Sequence, residues 1–367
     1  MRNKHSIILG TRGIPAQHGG FETFTEHLGL YLISRGWKVT VYCQESGDGS
    51  VYETEWEGIE CVHIPVKNKG SLGTIIFDLK SILHSLRYSG VFLTLGYNTA
   101  IFNLLYRLTG KRNVINMDGI EWKRQKWGCV AKSWFWINER FGCWFGNHLI
   151  ADHPEIKNHL STRISEKKIT VIPYGAVFIT SANAGLIENM GLVEKKYCLI
   201  IARPEPENSF LEIVKAFSNK KRNKKLVVLG NFEPEKNRYH RSILDVASDE
   251  IMFPGAIYDK KMVEALRFYT ALYIHGHQVG GTNPSLVEAL GACSPVIAHD
   301  NKFNRWVVSD EGWFFKNEKD LSLKLDELLD DSAILSKLSK LSRDKHQSAF
   351  FWTEILGQYE NLLERWL

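Results

Sequence analysis

Short apolar runs alternate along the chain with stretches whose apolar residues recur at helical spacing. Ser6-Ile7-Ile8-Leu9 ends at Gly10, a loop with Gly13, Pro15, Gly19 and Gly20 follows, and Phe24, Leu28, Tyr31 and Leu32 then fall on one helical stripe. Lys38–Tyr42 and Ile59–Ile64 read as strands on either side of a polar stretch. Val91–Leu95, Asn113–Asn116 and His148–Ala151 read as further strands, with helical patterns near 74–88 and 99–108. Strands alternating with helices predict a parallel sheet with helices on both faces.

The pattern then restarts. Tyr197–Ala202, Lys225–Gly230, Ala271–Ile274 and Pro295–Ala298 are strand-like, separated by helical segments near 208–218, 259–269 and 284–292. The join lies near Ile172-Pro173-Tyr174-Gly175, before a weakly patterned polar stretch to about residue 195. The expected organisation is an N-terminal Rossmann-like domain over 1–174, a second over 175–346, and an amphipathic helix over 347–367 returning to the first. Two such domains in tandem predict a central cleft facing the C-terminal ends of both sheets, where open α/β sheets bind ligands.

Composition fits this picture. The 367 residues are 44% hydrophobic and 24% charged, enough apolar material for two cores. A formal net charge of +5 is mild for this length, and the basic residues are spread, which argues against nucleic acid as partner. The cysteines Cys43, Cys61, Cys129, Cys143, Cys198 and Cys293 show no C-x-x-C spacing, so neither a disulfide framework nor a zinc site is expected and a reducing cytoplasm is. No apolar run reaches the length of a membrane span.

Candidate chemistry clusters in strand-to-helix loops. His275-Gly276-His277-Gln278-Val279-Gly280-Gly281-Thr282-Asn283-Pro284-Ser285 follows a buried strand and opens a helix. Asn283 suits an N-cap and Pro284 the first turn. The glycines let backbone N–H groups approach a diphosphate, and Glu288, one turn on, can accept from ribose hydroxyls. Gly19-Gly20 opens the first helix in the same manner. Arg203, just after a strand, can neutralise a pyrophosphate. Asp118, in Asn116-Met117-Asp118-Gly119-Ile120-Glu121, can bind sugar hydroxyls or take a proton, and Glu121 is an equal candidate. Each also has an ordinary structural reading: a cap, a turn, a surface ion pair. Walker A, G-x-S-x-G, H-E-x-x-H, G-x-G-x-x-G and a metal-holding Asp-x-Asp are all missing.

Two longer stretches carry a family resemblance. GTRGIPAQHGGFETF, GYNTAIF, NMDGIEWKR and ADHPEI in the first half, and HGHQVGGTNPSLVEAL in the second, resemble glycosyltransferase family 4, and within it the bacterial rhamnosyltransferase-like subgroup of capsule and O-antigen synthesis. The resemblance implies a GT-B fold and a retaining transfer that needs neither cofactor nor metal. It implies a nucleotide-sugar donor held by Gly19, Gly20, Arg203, Gly280, Gly281, Thr282, Asn283, Pro284, Ser285 and Glu288. Asp118 would face the donor sugar, and Tyr97, Asn98 and Glu121 would lie on the acceptor side. There are two departures. Many relatives carry two glutamates separated by seven residues, and here Gly280 stands at the first. The wider family pairs the arginine with a lysine, near where this chain has Asn208.

The expected donor is dTDP-rhamnose, with UDP-sugars as the alternative, and the expected acceptor is a lipid-linked saccharide. Between Trp122 and Phe145, Trp122, Trp127, Trp134, Phe135, Trp136, Phe141, Trp144 and Phe145 interleave with Lys123, Arg124, Lys126, Lys132 and Arg140. That mixture suits an anionic membrane interface, giving a peripheral place on the cytoplasmic face of the inner membrane; burial in the core is the alternative. A GT-B sugar-nucleotide epimerase and a non-catalytic nucleotide-sugar-binding subunit are rival functions.

Overall fold

The structure is a computed structural model, and it describes residues 4–16 and 19–367. Its contacts divide the chain into two units: one comprises residues 1–123, 127–173 and 353–367, and the other residues 124–126 and 174–352. The architecture is GT-B, two α/β units each built on its own sheet.

In the first unit β1 (His5–Leu9), α1 (Gly20–Ser34), β2 (Lys38–Ser46), β3 (Tyr52–Trp56), β4 (Ile59–Val66), α2 (Gly70–Ser85), β5 (Val91–Leu95), α3 (Leu104–Leu108), β6 (Arg112–Asn116), α4 (Cys129–Phe145), β7 (His148–Ala151), α5 (Pro154–Ser161) and β8 (Ile169–Val171) follow in order. The strands form an eight-stranded sheet ordered β3-β4-β2-β1-β5-β6-β7-β8. All pairings are parallel except β3 with β4. β3 falls in the polar stretch that showed no strand pattern. Tyr52 to Glu55 are exposed, as suits a charged edge strand with no face to bury.

The second unit holds α6 (Ala184–Glu188), β9 (Tyr197–Ile201), α7 (Phe210–Ser218), β10 (Lys225–Leu229), α8 (Arg238–Asp245), β11 (Ile251–Gly255), α9 (Lys260–Tyr269), β12 (Leu272–His275), α10 (Pro284–Gly291), β13 (Val296–His299), α11 (Lys302–Val308), β14 (Trp313–Phe315), α12 (Glu318–Asp330) and α13 (Ser332–Ala349). The sheet order is β11-β10-β9-β12-β13-β14, all parallel. Residue alternation along a strand sends neighbours to opposite faces. Tyr197, Leu199, Val227 and Leu229 join one apolar core, while Cys198, Ile200, Leu226 and Val228 join the other. Burial on both faces explains why these strands read as continuous apolar runs.

The tail departs from the expected single helix over 347–367. α13 runs on to Ala349, and α14 (Trp352–Glu364) begins after a break. From Thr353 onward α14 clusters with the first unit. Glu360 is buried there and accepts from Trp37 Nε1 and Tyr31 Oη, both at 3.1 Å, and pairs with Arg35 at 3.2 Å. Tyr359 accepts from Asn116 Nδ2 at 2.8 Å and packs its ring on Phe24.

Candidate functional site

β9 and β12 are adjacent and parallel, with Leu272 opposite Cys198 and Tyr273 opposite Leu199. The loops leaving their C-terminal ends therefore lie side by side, and they contain Arg203 and residues 276–285. Arg203 is exposed, and its guanidinium makes no hydrogen bond or ion pair among the described residues. Its carbonyl accepts from the Asn208 amide at 2.8 Å, so the backbone is held while the cation is left to solvent. Asn208, at the place where a second cation was considered, is buried; its Oδ1 lies 2.6 Å from His277 Nδ1. Ser209 Oγ donates to the Gly276 carbonyl at 2.7 Å, and Gln278 donates to Ser209 at 2.9 Å. The two loops are thus stitched together. Gly276 has no alternative, because a Cβ there would meet the Asn208 carbonyl oxygen at 2.1 Å. Beside Arg203, the buried Glu207 pairs with Arg124 of the same unit at 2.6 Å.

Asn283 and Pro284 stand where sequence places them. Asn283 Oδ1 accepts from Ser285 N at 3.0 Å, and Pro284 is the first residue of α10. Gly281 has φ +118°, a backbone conformation open to glycine. Thr282 is buried beneath the turn. A Cβ on Gly280 would meet the Phe303 ring at 2.8 Å, so that ring fills the space a side chain at 280 would enter. Glu288 is not simply solvated: its Oε2 lies 2.5 Å from Arg267 Nη2. Arg267, on α9, is buried and also donates to Ser285 Oγ at 3.3 Å. Ser285 Oγ donates to the Ile201 carbonyl at 3.1 Å and lies 2.7 Å from Tyr273 Oη. His275 is fully enclosed, and burial holds its imidazole well below the usual range, so the ring is neutral.

In the first unit the loops after β1, β5 and β6 share the C-terminal edge, since these strands are neighbours in that order. Gly19 is the N-cap of α1 in extended conformation and Gly20 is its first residue. Asp118 is half-buried at φ +51°, and its N–H donates to Asn116 Oδ1 at 3.0 Å. Tyr97, expected on the acceptor side, is 1% exposed; its Oη accepts from Glu121 N at 2.8 Å. It supports the Glu121 loop from beneath. Asn98 is exposed, and its carbonyl accepts from Trp134 Nε1 at 2.7 Å. Glu121 Oε2 accepts from Trp127 Nε1 at 3.1 Å.

Residues 187–345 match the family described as glycosyl transferases group 1, and residues 3–177 match a domain of unknown function, DUF1972. The fold of the chain is GT-B. Among solved structures, the chain is similar to sucrose-phosphate synthase from Thermosynechococcus elongatus, at TM-score 0.83 and 18% identity over 99% of each chain. It is similar to Anabaena HepE in complex with UDP and glucose, at TM-score 0.79 and 14% identity over 99% of this chain and 100% of that one. An α,α-trehalose-phosphate synthase from Burkholderia xenovorans, bound to glucose-6-phosphate, aligns at TM-score 0.76 and 12% identity over 98% and 100%. Identities this low show the fold alone. No curated protein matches the sequence.

The chain also contains groups that carried little or no signal in the sequence. Asp78 on α2 accepts from Thr99 Oγ1 at 2.7 Å, beside the Tyr97–Asn98 loop; burial pushes its carboxyl up to about 7, opposed only by that hydroxyl. Its only signal is a carboxylate within the apolar helical run Ile75-Ile76-Phe77-Asp78-Leu79. Arg267 carried no signal, because its partners become neighbours only through tertiary packing. α4 turns an unexpected face inward. Its buried residues are Asn138, Glu139, Gly142 and Cys143, one stripe of the helix, and no aromatic is among them. Gly142 lets the helix close onto the sheet edge, since a Cβ there would meet Met117 Cε at 3.0 Å and Tyr97 Cβ at 3.5 Å. Trp144 is 56% and Trp136 43% exposed, with Val130, Ile137 and, on α3, Leu104 and Leu108 also exposed. Trp122, Trp127, Trp134, Phe135, Phe141 and Phe145 are half-buried, so the segment is neither wholly core nor wholly exposed. Among the described residues no helix is long and apolar enough to cross a membrane.

Proposed function

We propose that the protein transfers a sugar from a nucleotide-sugar donor, with retention of anomeric configuration and without a metal, to a lipid-linked saccharide during bacterial surface polysaccharide synthesis. The observation that carries the donor reading is the C-terminal edge of the second sheet. There an unpaired, exposed Arg203 stands beside a glycine turn that leads into the capped N-terminus of α10. The backbone N–H groups of such a glycine turn and an adjacent cation suit a diphosphate. The match of this region to group 1 glycosyl transferases, and the UDP named in the HepE complex, support a nucleoside diphosphate as that group. As the glycosidic bond breaks, negative charge grows on the leaving diphosphate, where Arg203 and the backbone N–H groups of the Gly280-Gly281 turn stabilise it. A phosphate oxygen takes the proton of the incoming hydroxyl. Asp118 and Glu121 are assigned to orienting sugar hydroxyls, and Gly19-Gly20 to the donor phosphates.

Rhamnose from dTDP-rhamnose is the proposed transfer. The resemblance to the rhamnosyltransferase-like subgroup supports it, as does Gly280, where Phe303 presents a ring instead of a carboxylate. A thermal-shift screen against dTDP, UDP, GDP and their sugars tests this. The expected outcome is stabilisation by dTDP and dTDP-rhamnose of about 3 kcal/mol when ligand is near 100 times Kd. Stabilisation by UDP or GDP without dTDP overturns the choice of donor.

For the acceptor we infer peripheral contact of α3 and α4 with an anionic membrane. The exposed tryptophans with Lys132, Arg140 and Arg107 support it, and Arg140 stacks 3.2 Å from the Trp136 ring centre. In flotation with phosphatidylglycerol-rich vesicles the protein is expected to rise with the lipid. Replacing Trp136 and Trp144 together by glutamate should leave it at the bottom without lowering its melting temperature. Wild-type protein that stays wholly unbound at low salt would contradict the contact.

A further inference from the structure

We propose that Arg267 narrows the grip of Glu288, so that the donor site recognises its nucleoside through a single ribose hydroxyl and accepts 2′-deoxyribonucleoside diphosphates as readily as ribonucleoside diphosphates. This rests on the reading of Glu288 as the ribose-binding group and adds the class of nucleoside it admits.

A free carboxylate presents two coplanar oxygens and can accept from both hydroxyls of a ribose cis-diol. Glu288 is not free. Its Oε2 lies 2.5 Å from Arg267 Nη2, at the short end of charge-assisted contacts, while Oε1 makes no bond among the described residues. The guanidinium is pinned in turn. Its side chain is 8% exposed, whereas that of Glu288 is 33% exposed. Its Nη2 reaches Ser285 Oγ at 3.3 Å, and Ser285 is held by the Ile201 carbonyl and by Tyr273 Oη. Arg267 Nε has no hydrogen-bond partner among the described residues, and Glu288 is the carboxylate its guanidinium meets.

Drawing Oε2 away would leave a buried cation uncompensated, which a low-dielectric interior strongly disfavours. A hydroxyl that seeks Oε2 must therefore compete with a fixed guanidinium, whereas one that meets Oε1 does not. Removing the second hydroxyl from the nucleotide then sacrifices little. The device belongs to this chain's own pairing of α9 with α10, and it fits a deoxynucleoside donor without depending on which base that donor carries.

The test is calorimetric titration of the full-length protein with matched nucleotides: UDP against dUDP, and 5-methyl-UDP against dTDP. Wild type is expected to bind the deoxy member of its preferred pair within about threefold of the ribo member. Arg267→Met keeps the apolar stem and releases Oε2, and should shift the ratio toward the ribo member by about tenfold, the scale of one hydrogen bond to a charged group. Arg267→Lys keeps a cation at Oε2 and should hold the wild-type ratio, which a merely structural role for Arg267 does not predict. A wild-type preference of tenfold or more for the ribo member overturns the inference even if Arg267→Met fails to fold. A methionine variant that folds and leaves the ratio unchanged overturns it as well. Wild type that binds no nucleoside diphosphate, or binding that Glu288→Gln leaves undiminished, overturns the donor-site reading itself and the inference with it.

Discussion

Replacing Arg203 by alanine should lower turnover by about 100-fold or more at saturating donor, with little change in melting temperature. The guanidinium is exposed and has no partner among the described residues, so its removal breaks no packing and no ion pair. Its carbonyl contact with Asn208 is made by the backbone and survives the substitution. What disappears is a positive charge placed where the leaving diphosphate gains its own. An interaction that strengthens as charge develops lowers kcat more than it raises KM. The measurement is release of nucleoside diphosphate under saturating donor and acceptor. Arg203→Lys should recover part of the loss, because a point charge replaces a planar fork. Unchanged turnover in Arg203→Ala would remove Arg203 from the chemistry.

Glu139→Gln is the largest expected effect on stability, about 3 kcal/mol in the first unit. Glu139 is 1% exposed on the inward stripe of α4. Its Oε2 accepts from Trp122 Nε1 at 2.9 Å and lies 3.0 Å from His159 Nε2. Arg163 Nη2 lies 2.9 Å from Oε1 as an ion pair, without the alignment of a hydrogen bond, and Arg163 Nε has no partner. Burial alone would push the carboxyl upward; the contacts from His159, Trp122 and Arg163 together outweigh it and hold the group below its ordinary value. Glutamine keeps the shape but leaves Arg163 buried without its counter-charge. A loss of this size corresponds to a fall in melting temperature of roughly 6–12 °C for a unit of this size. The pH dependence follows from the sign of the shift. Because the folded carboxyl is depressed below its ordinary value, its stabilisation is full above that value and fades as pH falls through the lower folded value. The gap between wild type and Glu139→Gln should therefore be constant near neutral pH and close on acidification below about 4.5. A variant that melts with wild type at pH 7 would show that α4 is held by something else.

Much of this protein is local physics and could be read along the chain. A fully buried parallel strand is a short apolar run, and an amphipathic helix repeats about every 3.6 residues. The ten inner strands were legible on that basis, while the edge strands β8, β11 and β14 were not; the Asn283 cap and the proline that starts α10 were legible because the cap and the N–H it accepts from lie two residues apart. β3 was not legible, since an exposed edge strand has no buried face to impose alternation. Nor was the break between α13 and α14, where apolar spacing continues across residues that are not helical.

The chain alone determined two α/β units, the loop positions of Arg203 and Gly280 to Ser285, and a segment rich in tryptophan and cation. Only the tertiary structure decided how those groups are used. Glu288 meets Arg267 because the long Arg267 side chain reaches from α9 to α10, and a pairing across two elements leaves no periodic trace in either. Trp136 and Trp144 of α4 face outward because a buried carboxylate, an asparagine and a glycine claim its inner stripe. Hydrophobicity read along a helix names the residues that prefer burial, but when a buried charge network and a close backbone approach occupy that face, those residues are left at the surface.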